Sequence, residues 1–237
     1  MDVEVPRTIG LLWGRDEPGR RGPKRSLDVV RIGEAAIRIA DKEGLGAVSM
    51  KRVAAELGVS TMALYRYVEG KDDLFVVMLE VGSGGLREKF SSDWRAAMEE
   101  WCRDYRALLF AHPWVLQVPL AGPPATPRQL DWMEAAVLGL EDSGLTVPER
   151  MQVLLQLNAY VRGDAALNLS LVDAGMSPDG WPRLIRELAD PERYAAVLRV
   201  IETGEFDEDD DPMEQFEFGL ARILDGIELL VESRRKG

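Results

Sequence analysis

The hydrophobic positions of residues 48–67 predict two short helices joined by a tight turn. In the first helix, residues 49–57, apolar side chains recur three and four positions apart and therefore share one buried face. Gly58 follows directly, and glycine best accepts the left-handed conformation that ends a helix. A second helix is predicted over residues 60–68, with Ser60 as its N-cap. This order predicts a helix-turn-helix.

The exposed face of the second predicted helix has the composition of a surface that contacts DNA. Small side chains at its start allow close approach to base edges, and the later tyrosines and arginine can reach phosphates. An ordinary helical hairpin is the alternative, because a pattern this short also arises in proteins that do not bind DNA. The face comprises Thr61, Met62, Ala63, Tyr65, Arg66 and Tyr67.

Apolar residues recur with helical spacing through almost the whole remaining chain, and no segment alternates in the manner of a β-strand. We therefore predict an all-α fold, with an N-terminal three-helix helix-turn-helix domain over residues 26–72 and a larger helical domain over 73–237. Outside the hairpin, helices are predicted from 26 or 28 to 43, from 72 into the glycines at 82–85, from 91 or 92 to 112, over 114–118, 128–142 and 148–172, from Ser177-Pro178, from Asp190-Pro191, and over 213–233.

Residues 1–25 show no sustained period and contain three prolines, so we predict a flexible N-terminal arm. The arm ends in a basic patch at residues 20–25. Two roles remain open for it. It is either a solubilising tail or a DNA-contacting arm, since basic arms supplement some helix-turn-helix domains.

The charge of the chain is divided unevenly. Residues 1–71 carry 13 Lys and Arg against 10 Asp and Glu, whereas residues 72–237 carry 16 against 31. The net charge of −12 therefore hides a basic segment that contains the predicted hairpin. This asymmetry is what we expect if one end of the molecule meets phosphates and the other does not.

Several protein classes are excluded by what the sequence lacks. It contains no nucleophile elbow, no phosphate-binding loop and no paired-histidine zinc motif, so we predict no enzyme activity, no metal and no cofactor. No run of about 18 apolar residues is present, and the acidic N-terminus is unlike a signal peptide. With a single cysteine, these features predict a cytoplasmic protein.

Two sequence features resemble the TetR family of transcriptional repressors over residues 26–237. Residues 216–231, FEFGLARILDGIELLV, resemble the C-terminal helix of the subfamily closest to the tetracycline repressor. The spacing around the predicted recognition helix matches at Val59, Leu64, Tyr67, Val68, Lys71 and Leu74.

The resemblance implies a ligand-responsive, sequence-specific transcriptional regulator that binds double-stranded DNA. The most direct expectation is a repressor released from a palindromic operator by a small molecule, with residues 73–237 serving ligand binding and dimerisation. The alternative is a helical dimeric adaptor without operator specificity. No membrane partner is expected.

The resemblance also places DNA-facing residues. Ser49 would cap the first hairpin helix and touch a phosphate, and Arg66 would point either to a phosphate or to the acid-rich first helix. Because Met62 and Ala63 are apolar, contact with thymine methyl groups is the expected form of base recognition there. The full set is Ser49, Lys51, Ser60, Thr61, Met62, Ala63, Tyr65, Arg66, Tyr67 and Lys71.

Two long helices carry wide apolar stripes that suit either a monomer core or a four-helix dimer interface. The residues alone favour neither, and the resemblance favours a homodimer. The predicted interface residues are Leu154, Val161, Phe216, Leu220, Ile223, Leu224 and Ile227.

The middle of the chain is rich in aromatic residues, each of which also fits a plain core role. Polar side chains on the otherwise apolar helix 148–172 are more informative, because burying them is costly unless they are paired or line a wet cavity. We predict an effector pocket formed by Trp101, Tyr105, Trp132, Asn158 and Arg162.

Three further features are assigned roles without ligands. Cys102 is predicted to be a buried small hydrophobe, and His112 is predicted to cap or pack a helix end without binding metal. The acidic run at residues 205–211 lacks the glycine and final glutamate of a calcium loop, so a solvated loop is expected.

Overall fold

α-Helices and three short 3-10 turns account for all regular structure in the computed structural model, which describes residues 5–15, 27–119, 122–173, 180–204 and 212–236, with only the backbone of 171–173. The all-α prediction is confirmed. The helices are α1 (Arg7–Leu12), α2 (Val29–Glu43), α3 (Met50–Leu57), α4 (Thr61–Leu64), α5 (Lys71–Gly82), α6 (Trp94–Ala111), α7 (Pro127–Gly139), α8 (Val147–Asp173), α9 (Gly180–Leu188), α10 (Ala195–Glu202) and α11 (Pro212–Arg235).

The chain divides into two compact units, Met1–Asn158 and Ala159–Gly237, with the boundary inside α8. In the first unit, α2 begins at its N-cap Asp28, whose carboxylate accepts a hydrogen bond from the Arg31 amide. A Cβ at Gly33 would lie 2.8 Å from Val81 Cγ2. The missing side chain therefore lets α2 cross closely over α5.

The N-terminal segment corrects the prediction of an unstructured arm. Residues 7–12 form α1, which packs on α5 and buries Thr8 and Gly10. Six residues are too few to show a helical period, and a helix this short is stable only through tertiary packing. The basic patch at residues 20–25 lies outside the described residues.

The start of α6 differs from the prediction by one or two residues. Asp93, not Ser91 or Ser92, is the N-cap, and its carboxylate accepts a hydrogen bond from the Ala96 amide. The Ser91 hydroxyl instead accepts from the Asp93 amide, which fixes the turn before the helix. A cap acts through its geometry, so several adjacent polar residues leave its position ambiguous in the sequence.

One of the shorter helices of the second unit also begins later than predicted. The Asp190 carboxylate accepts hydrogen bonds from the Glu192 and Arg193 amides, which builds a turn before α10 starts at Ala195. The helix predicted from Ser177-Pro178 is α9, whose described part starts at Gly180. Residues 174–179 lie outside the described residues.

The core of the second unit includes an aromatic stack. The rings of Tyr160 and Phe216 lie 5.5 Å apart, and the Tyr160 hydroxyl donates to the Phe216 carbonyl at 2.8 Å. A Cβ at Gly219 would overlap the Tyr160 hydroxyl, so glycine is needed for this contact.

Most of the residues predicted for a dimer interface are buried within the single chain. They therefore have the core role that the sequence analysis left open as the alternative. Only Ile223 among them is half-buried, and its role at an interface stays a prediction along with the rest. The buried members are Leu154, Val161, Phe216, Leu220, Leu224 and Ile227.

Candidate nucleic-acid interface

The first helix of the predicted hairpin has the expected ends. The Ser49 hydroxyl caps α3 by accepting from the Arg52 amide at 3.2 Å. Gly58 ends α3 in the left-handed conformation, with φ of 65° and ψ of 31°. The Gly58 end was predicted from its residue type and the Ser49 cap from the family resemblance, and both are confirmed.

The second hairpin helix, α4, is shorter than predicted and is capped differently. It covers the four residues Thr61–Leu64 instead of 60–68, and residues 65–67 continue as a turn. Ser60 occupies the N-cap position, but its side chain makes no capping hydrogen bond, which corrects the prediction. Leu64 and Val68 are fully buried and anchor the segment to the core as expected.

The candidate DNA-contacting side chains of α4 are displayed to solvent. Met62 is 72% exposed and Tyr65 is 45% exposed, which are high values for large apolar or aromatic side chains. Thr61 and Ala63 are half-buried between them. Met62 and Tyr65 are three positions apart and are therefore neighbours on one face, where they form a small exposed surface.

The basic candidates lie at the edges of this surface. Lys51 on α3 and Arg66 in the turn are exposed, as is Ser60. Lys71 is exposed at the start of α5, with its ammonium 5.3 Å from the centre of the Phe75 ring. No ion pair joins Arg66 to α2 among the described residues, so the phosphate-facing alternative is retained for it.

Tyr67 differs from the other candidates. It is half-buried, and its hydroxyl donates to the Leu27 carbonyl at 2.8 Å. This hydroxyl fastens the turn after α4 to the segment before α2. We therefore assign Tyr67 to the support of the recognition segment and leave it out of the contact surface.

Arg52 holds α3 in place through charge. Its guanidinium lies 2.8 Å from a Glu43 carboxylate oxygen on α2 and 3.0 Å from one of Glu56 on α3. The hydrogen bond from Arg52 lowers the pKa of Glu43, and the bonds to Glu43 and Glu56 raise the pKa of Arg52. Both shifts favour the charged pair, which fixes α3 relative to α2.

Sequence reasoning missed the residues of α1 that support the recognition segment. Arg7 and Thr8 contact backbone carbonyls in the turn after α4, and Trp13 contacts the chain just before α7. These contacts join segments that are far apart in the sequence, so no local sequence pattern could have predicted them.

Three of the five predicted pocket residues come together in the first unit. The rings of Trp101, Tyr105 and Trp132 lie 5.2 to 5.9 Å apart and form an aromatic cluster. The Trp101 indole donates to the Trp132 carbonyl, and the Trp132 indole donates to the Ser83 carbonyl. Both indole donors are thus occupied, and both tryptophans are buried, with 2% of Trp101 and 8% of Trp132 exposed.

The other two predicted pocket residues are divided between the units. Asn158 is half-buried at the end of the first unit, whereas Arg162 is half-buried in the second. The aromatic cluster is therefore the part of the predicted pocket that the first unit assembles by itself.

A cleft of about 270 Å³ lies beside the aromatic cluster. Trp132, Asp104 and His112 are among its lining residues, together with the glycines that follow α5. A second cleft of about 220 Å³ is lined by Ser83, Arg128 and Trp132, among others. Trp132 thus lines both clefts.

His112 and Cys102 take the packing roles predicted for them. His112 Nδ1 lies 2.9 Å from Asp41 Oδ1, and the same oxygen accepts a 2.7 Å hydrogen bond from the Trp114 indole. Cys102 is fully buried.

Neither a metal cluster nor a membrane span emerges from the residues that the structure describes. No group of three potential His, Cys, Asp or Glu ligands is found in that part of the chain. None of its helices is long and apolar enough to cross a membrane. The acidic run at residues 205–211 falls outside it.

Two family models match the chain. The model for bacterial regulatory proteins of the tetR family matches residues 32–78, and that for the tetracyclin repressor-like C-terminal domain matches residues 88–231. The chain belongs to the TetR family. It is therefore a DNA-binding transcriptional regulator, with a helix-turn-helix at its N-terminal end.

Individual members of the TetR family agree with this assignment. The HTH-type transcriptional repressor DrrR1 of Streptomyces coeruleorubidus is 40% identical over 98% of this chain and 88% of its own length. Apo ActR of Streptomyces coelicolor superposes with a TM-score of 0.74 at 23% identity, over 89% of this chain and 99% of ActR. ActR in complex with actinorhodin gives a TM-score of 0.73 at 25% identity, over 84% and 94%.

Proposed function

We propose that this TetR-family protein acts in the cytoplasm as a homodimer that binds a palindromic operator and leaves it when a small molecule binds. The observation that carries the proposal is the exposed surface of α4, with Met62 and Tyr65 in solvent above the buried anchor Leu64. A dimer whose two recognition helices are about 34–36 Å apart meets successive major grooves of a palindrome.

The contact surface divides into base and phosphate contacts. Met62 and Ala63 have no hydrogen-bonding side-chain group, so they suit the methyl groups of thymines. Tyr65, Lys51 and Lys71 suit phosphates, and Ser60, Thr61 and Arg66 complete the rim. Ser49 adds little of its own, since its hydroxyl already caps α3.

Exposed apolar side chains on α8 and α11 support dimerisation. In the second unit, Leu167 is 62% exposed, Phe218 66% and Leu229 70%. They lie on the same two helices as the buried residues predicted for the interface. We propose that these exposed residues, with Ile223, supply the apolar contact area of the dimer.

Binding of DNA tests the proposal most directly. The protein should bind the DNA upstream of its own gene with an affinity that falls steeply as salt rises. Tyr65→Ala should weaken binding of a dimer about a hundredfold, because one good contact, worth about tenfold, is lost in each half-site. Lys71→Gln should lower the salt slope by about 2 if a dimer binds, because each subunit loses one phosphate contact. The measurement is a fluorescence-anisotropy titration over a salt series.

Lys89→Gln is the matched control, because Lys89 is an exposed lysine in the loop after α5. It should leave both affinity and salt slope near the wild-type values. A protein that binds upstream and unrelated DNA equally well would instead support the alternative of a helical adaptor without operator specificity.

The aromatic cluster is the proposed wall of the effector site. Its indole donors are occupied by protein carbonyls and Trp101 is 2% exposed, so a ligand in the clefts would meet Trp132, which packs against Trp101 and Tyr105. Such a wall suits a planar aromatic molecule. ActR has been solved with actinorhodin bound, which makes actinorhodin a suitable probe.

Actinorhodin is expected to quench the tryptophan fluorescence of the protein and to release it from the upstream DNA. Tyr105→Ala should weaken both effects to a similar extent, because it removes one ring from the cluster without removing an indole. Tyr194→Ala, which changes an exposed tyrosine of the second unit, is the control. Quenching without release from DNA would contradict the proposed coupling.

A further inference from the structure

We propose that α1 is a positioning element for DNA binding, which holds the recognition segment in place without contributing to its exposed surface. α1 lies outside both ranges that the family models match. The inference rests on the proposed binding of operator DNA by α4.

The recognition segment needs outside support because α4 is so short. It has four helical residues, about one turn, and a single turn is not stable in isolation. The carbonyl groups at the end of a helix also lack partners within it. The orientation of Met62 and Tyr65 therefore depends on what holds the turn that follows.

Two residues of α1 contact carbonyl groups of the turn that follows α4. The Arg7 guanidinium donates to the Arg66 carbonyl at 2.7 Å. The Thr8 hydroxyl lies 3.3 Å from the Tyr67 carbonyl. Both carbonyls belong to the turn directly after α4.

Thr8 also completes a buried link to α5. Its hydroxyl donates to Asp73 Oδ2 at 2.7 Å, and the same oxygen accepts from the Glu69 amide at 2.8 Å. Thr8 is 2% exposed, so its hydroxyl has no water to replace this partner. Removal of the hydroxyl would leave Asp73 with a weaker hold on the turn.

The far end of α1 is tied to the helical domain. The Trp13 indole donates at 2.9 Å to the carbonyl of Ala125, just before α7. The first turn of α7 is itself fixed to α5, since the Arg128 amide donates to the buried carboxylate of Glu80 at 2.9 Å. α1 thus spans from the recognition segment to the helix that carries Trp132.

An alternative role for this segment is purely electrostatic, in which Arg7 attracts phosphates like any other cation. The two roles make different predictions for a neutral substitution. Thr8→Val removes the hydroxyl, keeps the shape and changes no charge, so it can act only through position. Its effect would therefore appear in the affinity and not in the salt slope.

The test uses the full chain and the DNA fragment upstream of its own gene. Thr8→Val is expected to raise the Kd about tenfold with an unchanged salt slope, and Thr8→Ser, which keeps the hydroxyl, should bind like wild type. Each Kd is calculated from the concentration of protein that is able to bind DNA, which a stoichiometric titration measures. Hydrogen exchange without DNA should quicken at the amides of residues 65–69 in Thr8→Val.

A Kd for Thr8→Val equal to that of the wild type would overturn the inference, even if the melting temperature of the variant falls. If Thr8→Val does not fold, Arg7→Gln and Arg15→Gln carry the test, because each removes one exposed cation near α1. Arg7→Gln should weaken binding more, and equal effects would overturn the inference. Wild-type protein that binds no upstream fragment would instead overturn the proposed function, and this inference with it.

Discussion

Leu64→Ala is expected to lower the free energy of unfolding by about 2–5 kcal/mol and to abolish operator binding. Leu64 is fully buried and is the last residue of a helix of only four residues. Truncation leaves a cavity under the recognition segment, and so short a helix has few other contacts to hold it. Urea denaturation followed by circular dichroism, together with a DNA titration, would measure both losses.

Met62→Ala is the matched substitution two residues earlier on α4. Met62 is 72% exposed, so its truncation should change the unfolding free energy by no more than about 0.5 kcal/mol. Operator binding should nevertheless weaken, with less discrimination between thymine and other bases at the contacted position. If Leu64→Ala kept full affinity, the recognition segment would not depend on its buried anchor.

Phe216→Ala is expected to cost about 3–5 kcal/mol of unfolding free energy, the largest single effect in the second unit. Phe216 is fully buried, and it stacks on Tyr160 while its carbonyl accepts the Tyr160 hydroxyl. These contacts lie within one chain. The loss should therefore appear as a lower melting temperature at every protein concentration.

Phe218→Ala separates the core role from the interface role. Phe218 lies two residues away on α11 and is 66% exposed, so the subunit should keep its stability. Its dimer should instead dissociate at a higher concentration in sedimentation-velocity experiments. A different result would favour the interface predicted from the sequence over the exposed residues proposed here. In that result Phe218→Ala leaves the dimer unchanged, whereas Phe216→Ala dissociates it and keeps the helix content of wild type.

The ends of α3 were predictable because they depend on local chemistry. Ser49 offers a side-chain oxygen where the helix has unpaired amides, and Gly58 tolerates a positive φ without strain. The predicted cap of α4 was wrong, because residue type alone does not decide whether a side chain reaches the helix amides. Ser60 has the right residue type, but its rotamer is a matter of three-dimensional geometry, and its hydroxyl does not reach the helix amides.

Long-range contacts set the limit of prediction from the sequence. The apolar period identified Phe216 and Leu224 but could not show whether the same chain or a second copy covers them. The partners of the indole groups of Trp101 and Trp132 are carbonyls from distant segments, so only the clustering of aromatic residues could be expected. α1 escaped detection because Thr8 acts through residues almost sixty positions away.

Asp41 connects the helix-turn-helix domain to the cleft beside the aromatic cluster. This residue of α2 is bonded to His112, and His112 also lines the 270 Å³ cleft beside the aromatic cluster. A ligand that filled this cleft would contact His112, which is hydrogen-bonded to Asp41 of the helix-turn-helix domain. Such a ligand would act on one of the two hydrogen bonds at Asp41 Oδ1, the other being the bond from the Trp114 indole.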